Sequence, residues 1–194
     1  MADRPYHHGN LRAALLAEAE RTLREQGIEQ LSLRELARQA GVSHAAPRRH
    51  FADRQALLDA LTEAGFERLG DELRTALEDA SDDYEARLRA FATVYVRFAT
   101  RDPGLLELMF AAKHGEQPAA LRDAFERVVT MVDGLIRQGQ LTGKLQAGDP
   151  ERVALLLTAT LHGVAALITS GTVDAGQADG LIADAVALFT HGPR

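Results

Sequence analysis

The side chains best suited to binding chemistry stand close together in one short stretch of the chain. Arg48 and Arg49 are permanent cations, and His50 follows them directly. Ser43 and His44 come a few residues earlier, and both side chains can donate and accept hydrogen bonds. Guanidinium groups bind phosphate oxygens, whereas short polar side chains hydrogen-bond the edges of bases. This combination of residues predicts contact with a nucleic acid.

Two helices joined by a tight turn would hold that stretch in place. Ser32 and Glu35 form a Ser-x-x-Glu capping box, which is a start signal for a helix. Gly41 stands where a helix end favours a residue that tolerates positive φ. Ser43 then offers the N-cap of a second helix. This order predicts a helix-turn-helix motif, whose second helix lies in the major groove of DNA.

DNA recognition combines contacts that fix register on the phosphates with contacts that read the bases. We expect the start of the second helix to read bases through Ser43, His44, Ala45 and Ala46. We expect contacts to the DNA backbone from Ser32, Arg48, Arg49, His50 and Arg54. Ser32 can instead act as a plain N-cap. For His50, Ala45 and Ala46, the alternative is packing against the rest of the domain.

Pro47 is an unusual residue for the inside of the second helix. If Ser43 is the cap, Pro47 is the fourth helical residue, and it lacks the N–H that would make the first intrahelical hydrogen bond. Either the helix begins later, near His44, or its first turn is distorted. We expect a shortened helix.

The charge of the chain is unevenly distributed. Residues 1–54 hold nine basic and seven acidic residues, whereas residues 55–194 hold 13 basic and 21 acidic residues. The first part therefore carries +2 and the second −8, which gives the net charge of −6. A basic end joined to an acidic body fits a protein that presents one end to DNA. Scattered charge is the alternative, because the basic excess is modest.

Several classes of function have no support in the composition. The chain has no cysteine, so disulfides, thiolate metal sites and cysteine nucleophiles are excluded. It has neither a glycine-rich phosphate loop nor a His-Glu-x-x-His zinc motif, so we expect no enzyme activity, metal site or cofactor. The N-terminus lacks an apolar signal segment, and no run reaches the length of a membrane span. We therefore expect a cytoplasmic protein that does not enter a membrane.

Hydrophobic periodicity predicts an all-α fold of about nine helices. A long helix from Asp53 to about residue 80 would join a DNA-binding head (residues 1–52) to a ligand-binding and dimerisation body (residues 53–194). Residues 153–169 are apolar nearly all round, so we expect that helix to be central in the body. Other helices are expected over about 10–26, 119–139 and 177–190. Polar residues 1–9 could form a short arm that touches DNA.

Over about residues 8–58 the chain resembles the TetR family of bacterial transcriptional repressors. The resemblance lies in the segments SLRELARQAGVS and RHFADRQALL. The family typically shows Leu-Tyr-x-His-Phe followed by a Lys, and Arg54 lies near the position of that Lys. Two positions depart from the pattern: Arg48 stands where the family has Tyr, and Pro47 precedes it. The tracts YHHGNLRAALL and LHGVAAL resemble the subgroup with a WHG-type C-terminal domain, although the usual Trp is missing.

The resemblance implies a homodimer in which each subunit has a DNA-binding head and a body that binds a small molecule. Ligand binding would change the distance between the heads and release a palindromic operator. It also implies that Arg48 takes over the backbone contact of the usual tyrosine, with full charge and greater sensitivity to salt. The alternative is a TetR-like regulator without a small-molecule inducer, acting as an activator or under the control of a partner.

A ligand cavity among helices should be mostly apolar with a few polar groups. The candidates for its lining are Phe91, Tyr95, Phe98, Met109, Phe110, His114, Phe125, Met131, Thr158 and His162. Core packing is the alternative for each of them, because aromatic stripes at helical spacing usually belong to a core.

The family resemblance also places the dimer interface on the last two helices, which would pair with a two-fold partner as a four-helix bundle. The residues expected to supply its apolar area are Leu161, Val164, Ile168, Leu181, Ala185 and Phe189. Burial inside one subunit is the alternative.

Overall fold

A computed structural model describes residues 11–111 and 117–190, and over these ranges the chain is all-helical. Its α-helices are α1 (Leu11–Gln26), α2 (Leu33–Gln39), α3 (Arg54–Asp79), α4 (Tyr84–Arg101), α5 (Pro103–Ala111), α6 (Ala119–Leu141), α7 (Pro150–Thr169) and α8 (Ala178–Thr190). Short 3-10 turns occupy Ile28–Gln30, Pro47–Arg49 and Ala175–Gln177. The all-α prediction is confirmed. The described residues hold eight α-helices rather than nine, because the second helix of the helix-turn-helix is a 3-10 turn.

Short polar side chains begin several helices where the sequence predicted. The Ser32 hydroxyl accepts the Glu35 N–H at 3.2 Å and starts α2. The Asp53 carboxylate accepts the Ala56 N–H at 2.9 Å and starts the long helix α3. Gly41 follows α2 with φ of 66°, a left-handed conformation that favours glycine. Each of the two capping bonds joins residues three positions apart, so the local sequence determines them.

The head packs around the junction of α1, α2 and the start of α3. Leu15, Leu36, Phe51 and Leu57 are all almost completely buried there. The buried Thr22 hydroxyl of α1 lies 3.2 Å from the side-chain oxygen of a glutamine in α2. The core then continues along α3 into the body, so one rigid helix connects the two parts.

Helix α4 is the centre of the body, because it contacts α3, α5, α7 and α8. The prediction that the apolar helix α7 would be central is wrong for the single subunit. Only Leu157, Leu161 and Ala165 of α7 are buried, whereas Leu155 is 71% and Leu156 60% exposed. Helix α7 is apolar all round because one face packs on the core and another apolar face lies at the surface. In the described ranges it is also the one helix long and apolar enough to cross a membrane.

The ring of Tyr84, the first residue of α4, packs on a glycine near the end of α6. A Cβ atom added at Gly139 would overlap the ring of Tyr84 and would lie 2.8 Å from the Cβ of Leu145. Tyr84 is 6% exposed, so its ring has little room to move. The packing of the Tyr84 ring against α6 therefore depends on the absence of a side chain at this position.

We expect Gly139→Ala to lower the free energy of unfolding by about 1–3 kcal/mol, the usual cost of overpacking a buried contact. Gly134→Ala on the same helix is the matched control, because a Cβ there meets no atom within 4 Å. The control should raise stability by about 0.5–1 kcal/mol through helix propensity. Urea unfolding of both variants measures the difference, and equal stabilities would contradict the packing argument.

Candidate DNA-binding surface and ligand cavity

The second element of the helix-turn-helix is short because of where Pro47 lies. The Ser43 carbonyl accepts the Ala46 N–H at 2.9 Å, which closes a turn before the proline. Pro47 is then the first residue of the 3-10 helix, where no N–H is required. The expected shortening is confirmed, but the N-cap is Ala46 and not Ser43 as predicted. Pro47 is buried, so it anchors the turn in the head.

The side chains around this turn are nearly all exposed. Ser43, His44, Ala45, Arg48, Arg49 and His50 are exposed, and Ala46 is half-buried. No ion pair occupies Arg48 or Arg49 among the described residues. The two arginines at the end of the motif are therefore accessible to DNA, as the predicted contacts require. Ala45 and His50 are not packed into the head, because both side chains face solvent.

Arg54 has a structural partner that its position in the sequence did not indicate. Its Nε donates to the Leu31 carbonyl at 2.9 Å, and its Nη2 donates to the Ile28 carbonyl at 2.7 Å. These bonds tie the start of α3 to the loop between α1 and α2. Arg54 therefore holds the head together, and both N–H groups of Nη1 and one of Nη2 are left for the DNA contact expected from the sequence.

We expect Arg54→Ala to lower the stability of the protein by about 1–3 kcal/mol, because two carbonyls lose a charged donor. We also expect the dependence of DNA affinity on salt to stay within about half a unit of the original slope. Urea unfolding and DNA titrations at several salt concentrations measure the two effects. A slope lower by about one unit would instead assign a phosphate contact to this side chain.

A cavity of about 290 Å³ lies in the body between α3, α4, α5, α6 and α7. Six of the residues predicted to line it do so: Phe91, Tyr95, Met109, Phe110, Phe125 and Thr158. The sequence missed the contribution of α3, which is Phe66, Leu69 and Leu73. Their spacing of three and four residues marked them only as a buried face.

Four predicted cavity residues lie elsewhere or cannot be placed. Phe98 is fully buried with the guanidinium groups of Arg68 and Arg101 over its ring. Met131 lines a charged groove between α3 and α6. His162 lines a groove between α4, α5 and α7. His114 lies outside the described residues, as does the N-terminal arm.

Few polar groups face the cavity. The Tyr95 hydroxyl lies 3.4 Å from Nδ1 of His162. Burial raises the pKa of Tyr95, so its hydroxyl stays protonated at neutral pH. Asp133 of α6 and Glu151 of α7 stand at the mouth. Asp133 accepts a hydrogen bond from Nε of Arg137 at 2.7 Å.

A buried carboxylate connects the head to the body. Asp102 is 5% exposed and accepts hydrogen bonds from Arg24 of α1 at 3.0 Å and Arg101 of α4 at 2.9 Å. Arg68 of α3 lies 3.5 Å away. Burial raises the pKa of Asp102, but the hydrogen bonds from Arg101 and Arg24 and the nearby positive charges outweigh it, so the net pKa is lowered. Asp102, which directly precedes α5, is therefore the centre of an ionic cluster that joins α1, α3 and α4.

Helix α5 links this junction to the cavity. A Cβ atom at Gly104 would lie 3.5 Å from the side chain of Leu23, so the start of α5 packs directly on α1. Leu106 and Met109, two and five residues later, line the cavity. Helix α5 therefore contacts both the cavity and α1 of the head.

The six residues predicted for the dimer interface are divided between core and surface. Leu161 and Ala185 are buried inside the subunit, so their side chains offer no free surface. Val164, Ile168, Leu181 and Phe189 are half-buried. The exposed apolar residues of α7 and α8 are Leu155, Leu156, Leu167 and Leu188, which the sequence did not single out.

Comparisons with known proteins find related families for both the head and the body of the chain. Residues 15–61 match the family described as bacterial regulatory proteins, tetR family. Residues 88–190 match the family described as tetracyclin repressor-like, C-terminal domain. Among curated proteins, the nucleoid occlusion factor SlmA of Vibrio vulnificus is 31% identical over 120 residues, and the chain spans 61% of that relative's length.

Solved structures extend the similarity over the whole chain. A protein of unknown function from Rhodococcus sp. RHA1 superposes with a TM-score of 0.86 at 44% identity, covering 98% of both chains. The fatty acid degradation regulator FadR of Bacillus halodurans superposes with a TM-score of 0.75 at 18% identity, covering 100% of this chain and 99% of that one. At that identity the second similarity concerns the fold alone.

Proposed function

The chain belongs to the tetR family of bacterial regulatory proteins, and we propose that it is a dimeric, sequence-specific DNA-binding repressor. Its operator is palindromic, and a small-molecule ligand releases the protein from it. The observation that carries the proposal is the set of exposed side chains between Ser43 and His50, among which Arg48 and Arg49 have no ion-pair partners in the described part of the chain. The acidic body would be repelled by phosphate, so DNA meets the head.

The exposed side chains of the helix-turn-helix motif have two kinds of proposed role. Arg48, Arg49 and His50 contact phosphates, and Ser32 adds a hydroxyl at the start of α2 while it caps that helix. The bases are read by Ser43, His44, Ala45 and Ala46, whose small size allows close approach to the groove. A 3-10 turn presents fewer side chains to the groove than a long helix, so much of the affinity comes from the backbone contacts.

Two-fold pairing through α7 and α8 completes the proposed DNA-binding form. The exposed Leu155, Leu156, Leu167 and Leu188 supply apolar area, and half-buried neighbours such as Val164 and Ile168 extend it. Two such faces related by a two-fold axis would form a four-helix bundle. The same axis would place two heads on successive turns of DNA, which is why the operator is proposed to be palindromic.

The ligand is proposed to bind in the body cavity and to act on the head through α5, whose two ends touch the cavity and α1. The test titrates the full-length protein onto DNA from upstream of its own gene, at physiological salt, with unrelated DNA as the control. A metabolite library is then added to the complex. Failure to prefer any short palindrome over unrelated DNA would remove the proposal.

The similarity to a nucleoid occlusion factor supports a second candidate, a DNA-binding regulator controlled by a protein partner. That candidate predicts the same operator binding but no release by a small molecule. Release by a library component at concentrations near its binding constant would exclude it.

A further inference from the structure

The charged groups at the cavity have one sign among the residues that the structure describes. The described lining contains two ionised side chains, the carboxylates of Asp133 and Glu151. Arg137 binds Asp133 from outside the cavity, and it also feels the charges of Glu151 and Asp149. The described lining of the cavity therefore holds two acidic side chains and no basic one.

The interior of the same cavity is rich in aromatic rings. Phe66, Phe91, Tyr95, Phe110 and Phe125 line it, which is half of the ten aromatic residues in the chain. Phe66 and Phe125 meet edge to face at 5.3 Å, and Phe91 and Tyr95 lie with their ring centroids 6.4 Å apart. Rings of this kind give the interior an apolar surface that can bury the apolar part of a ligand.

We propose that the cavity binds a lipophilic organic cation, with its apolar part among the aromatic rings and its cationic group at the mouth beside Glu151 and Asp133. This inference rests on the proposed function, since it names the class of ligand for the same cavity. A carboxylate or phosphate ligand of similar shape would bring its charge next to two acids, and like charges repel.

The first experiment compares three single-chain molecules with the same ten-carbon tail: decyltrimethylammonium, 1-decanol and decanoate. Isothermal titration calorimetry of the full-length protein, below the concentration at which any of them forms micelles, measures the three affinities. We expect the cation to bind about tenfold or more tightly than the alcohol, and decanoate to bind most weakly. Equal binding of cation and alcohol, tighter binding of decanoate, or no binding at all would overturn the inference.

The second experiment tests the two carboxylates with matched neutral substitutions. Glu151→Gln and Asp133→Asn should each reduce the preference for the cation over the alcohol by about three- to tenfold. Glu126→Gln and Asp123→Asn remove the same charges from exposed positions of α6 outside the cavity, and they should leave that preference unchanged. Equal losses in all four variants would show that the preference depends only on the net charge of the protein. That result would overturn the proposed cation site.

DNA binding distinguishes this inference from the proposed function. If the protein binds its operator but prefers decanoate, the inference fails and the proposed function stands. If the protein binds no palindrome yet takes up decyltrimethylammonium in the manner expected, the proposed function fails and the cation site stands.

Discussion

The double variant Arg48→Ala/Arg49→Ala is expected to bind operator DNA about 30-fold more weakly at 0.15 M salt. The reason is the number of counterions released: each phosphate contact adds about 0.9 to the slope of log affinity against log salt, so two lost contacts lower it by about 1.8. Both side chains are exposed and free of ion pairs in the described part of the chain, so their removal leaves the head intact. Fluorescence anisotropy at four or more salt concentrations measures the slope.

The control for this experiment must change the net charge of the protein by the same amount. Arg97→Ala/Arg122→Ala serves this purpose, because both residues are exposed in the body, on α4 and α6. The control should leave the slope within about 0.3 of the original value. A slope that stays the same in the double head variant would remove both arginines from the interface. The same series on unrelated DNA should show a similar loss, since phosphate contacts carry no sequence information.

Local interactions explain why so much of the head could be predicted from the sequence. The caps at Ser32 and Asp53 and the left-handed Gly41 each depend on residues within three positions. Pro47 also acts locally, because its missing N–H and fixed φ determine where a turn can begin. Arg54 could not be assigned in this way. Its partners are main-chain carbonyls more than twenty residues earlier, and carbonyls leave no mark in a sequence.

Hydrophobic pattern alone could not place α7 or define the cavity. A helix that packs on a core with one face and meets a partner with another is as apolar as a central helix. The side chains of Phe66, Leu69 and Leu73 have the same periodicity as an ordinary core face. Only the empty space beside them in the structure identifies them as part of a cavity wall. The acids at the mouth were likewise indistinguishable from solvated surface charges. A sequence pattern indicates which side chains are buried, but only the tertiary structure shows whether they pack on a core, a cavity or a partner.

The junction at Asp102 lay beyond sequence reasoning for a different reason. Two of its arginine partners, Arg24 and Arg68, lie 78 and 34 residues earlier in the chain. Asp102-Pro103 has the form of a helix start, and α5 does begin at Pro103. The side chain nevertheless turns to Arg24 and Arg101, because a buried carboxylate needs hydrogen-bonded cations.

Asp102→Asn is expected to lower the free energy of unfolding by about 1–3 kcal/mol at neutral pH. Breaking a buried ion pair costs about 3–5 kcal/mol, and the cost is smaller here because Arg24 and Arg101 are about half-exposed and can be solvated. Asp71→Asn is the matched control: it removes an exposed carboxylate 3.2 Å from Arg74 and should change stability by less than about 0.5 kcal/mol. Urea unfolding at pH 7 compares the two.

The same substitution should alter the response to acid in a predictable direction. The folded pKa of Asp102 is lowered, so its stabilising contribution is complete above the ordinary pKa of about 3.8 and is lost as the pH falls through the lower folded value. The original protein and Asp102→Asn should therefore differ in stability at pH 7 and converge in acid. A difference that stays constant from pH 7 down to the acid limit of folding would contradict a role for the carboxylate charge.

The largest consequence of Asp102→Asn concerns the coupling between ligand and DNA. Asp102 joins α1 of the head to α3 and α4, and both of these helices also line the cavity. A ligand can release DNA only as far as it favours one arrangement of head and body over another. With the junction weakened, we expect operator and ligand to bind separately with affinities within about threefold of the original, while the ligand's effect on operator affinity falls about tenfold. Titrating the operator with and without ligand measures this coupling, and an unchanged coupling would show that the signal reaches the head through the packing of α5 on α1 alone.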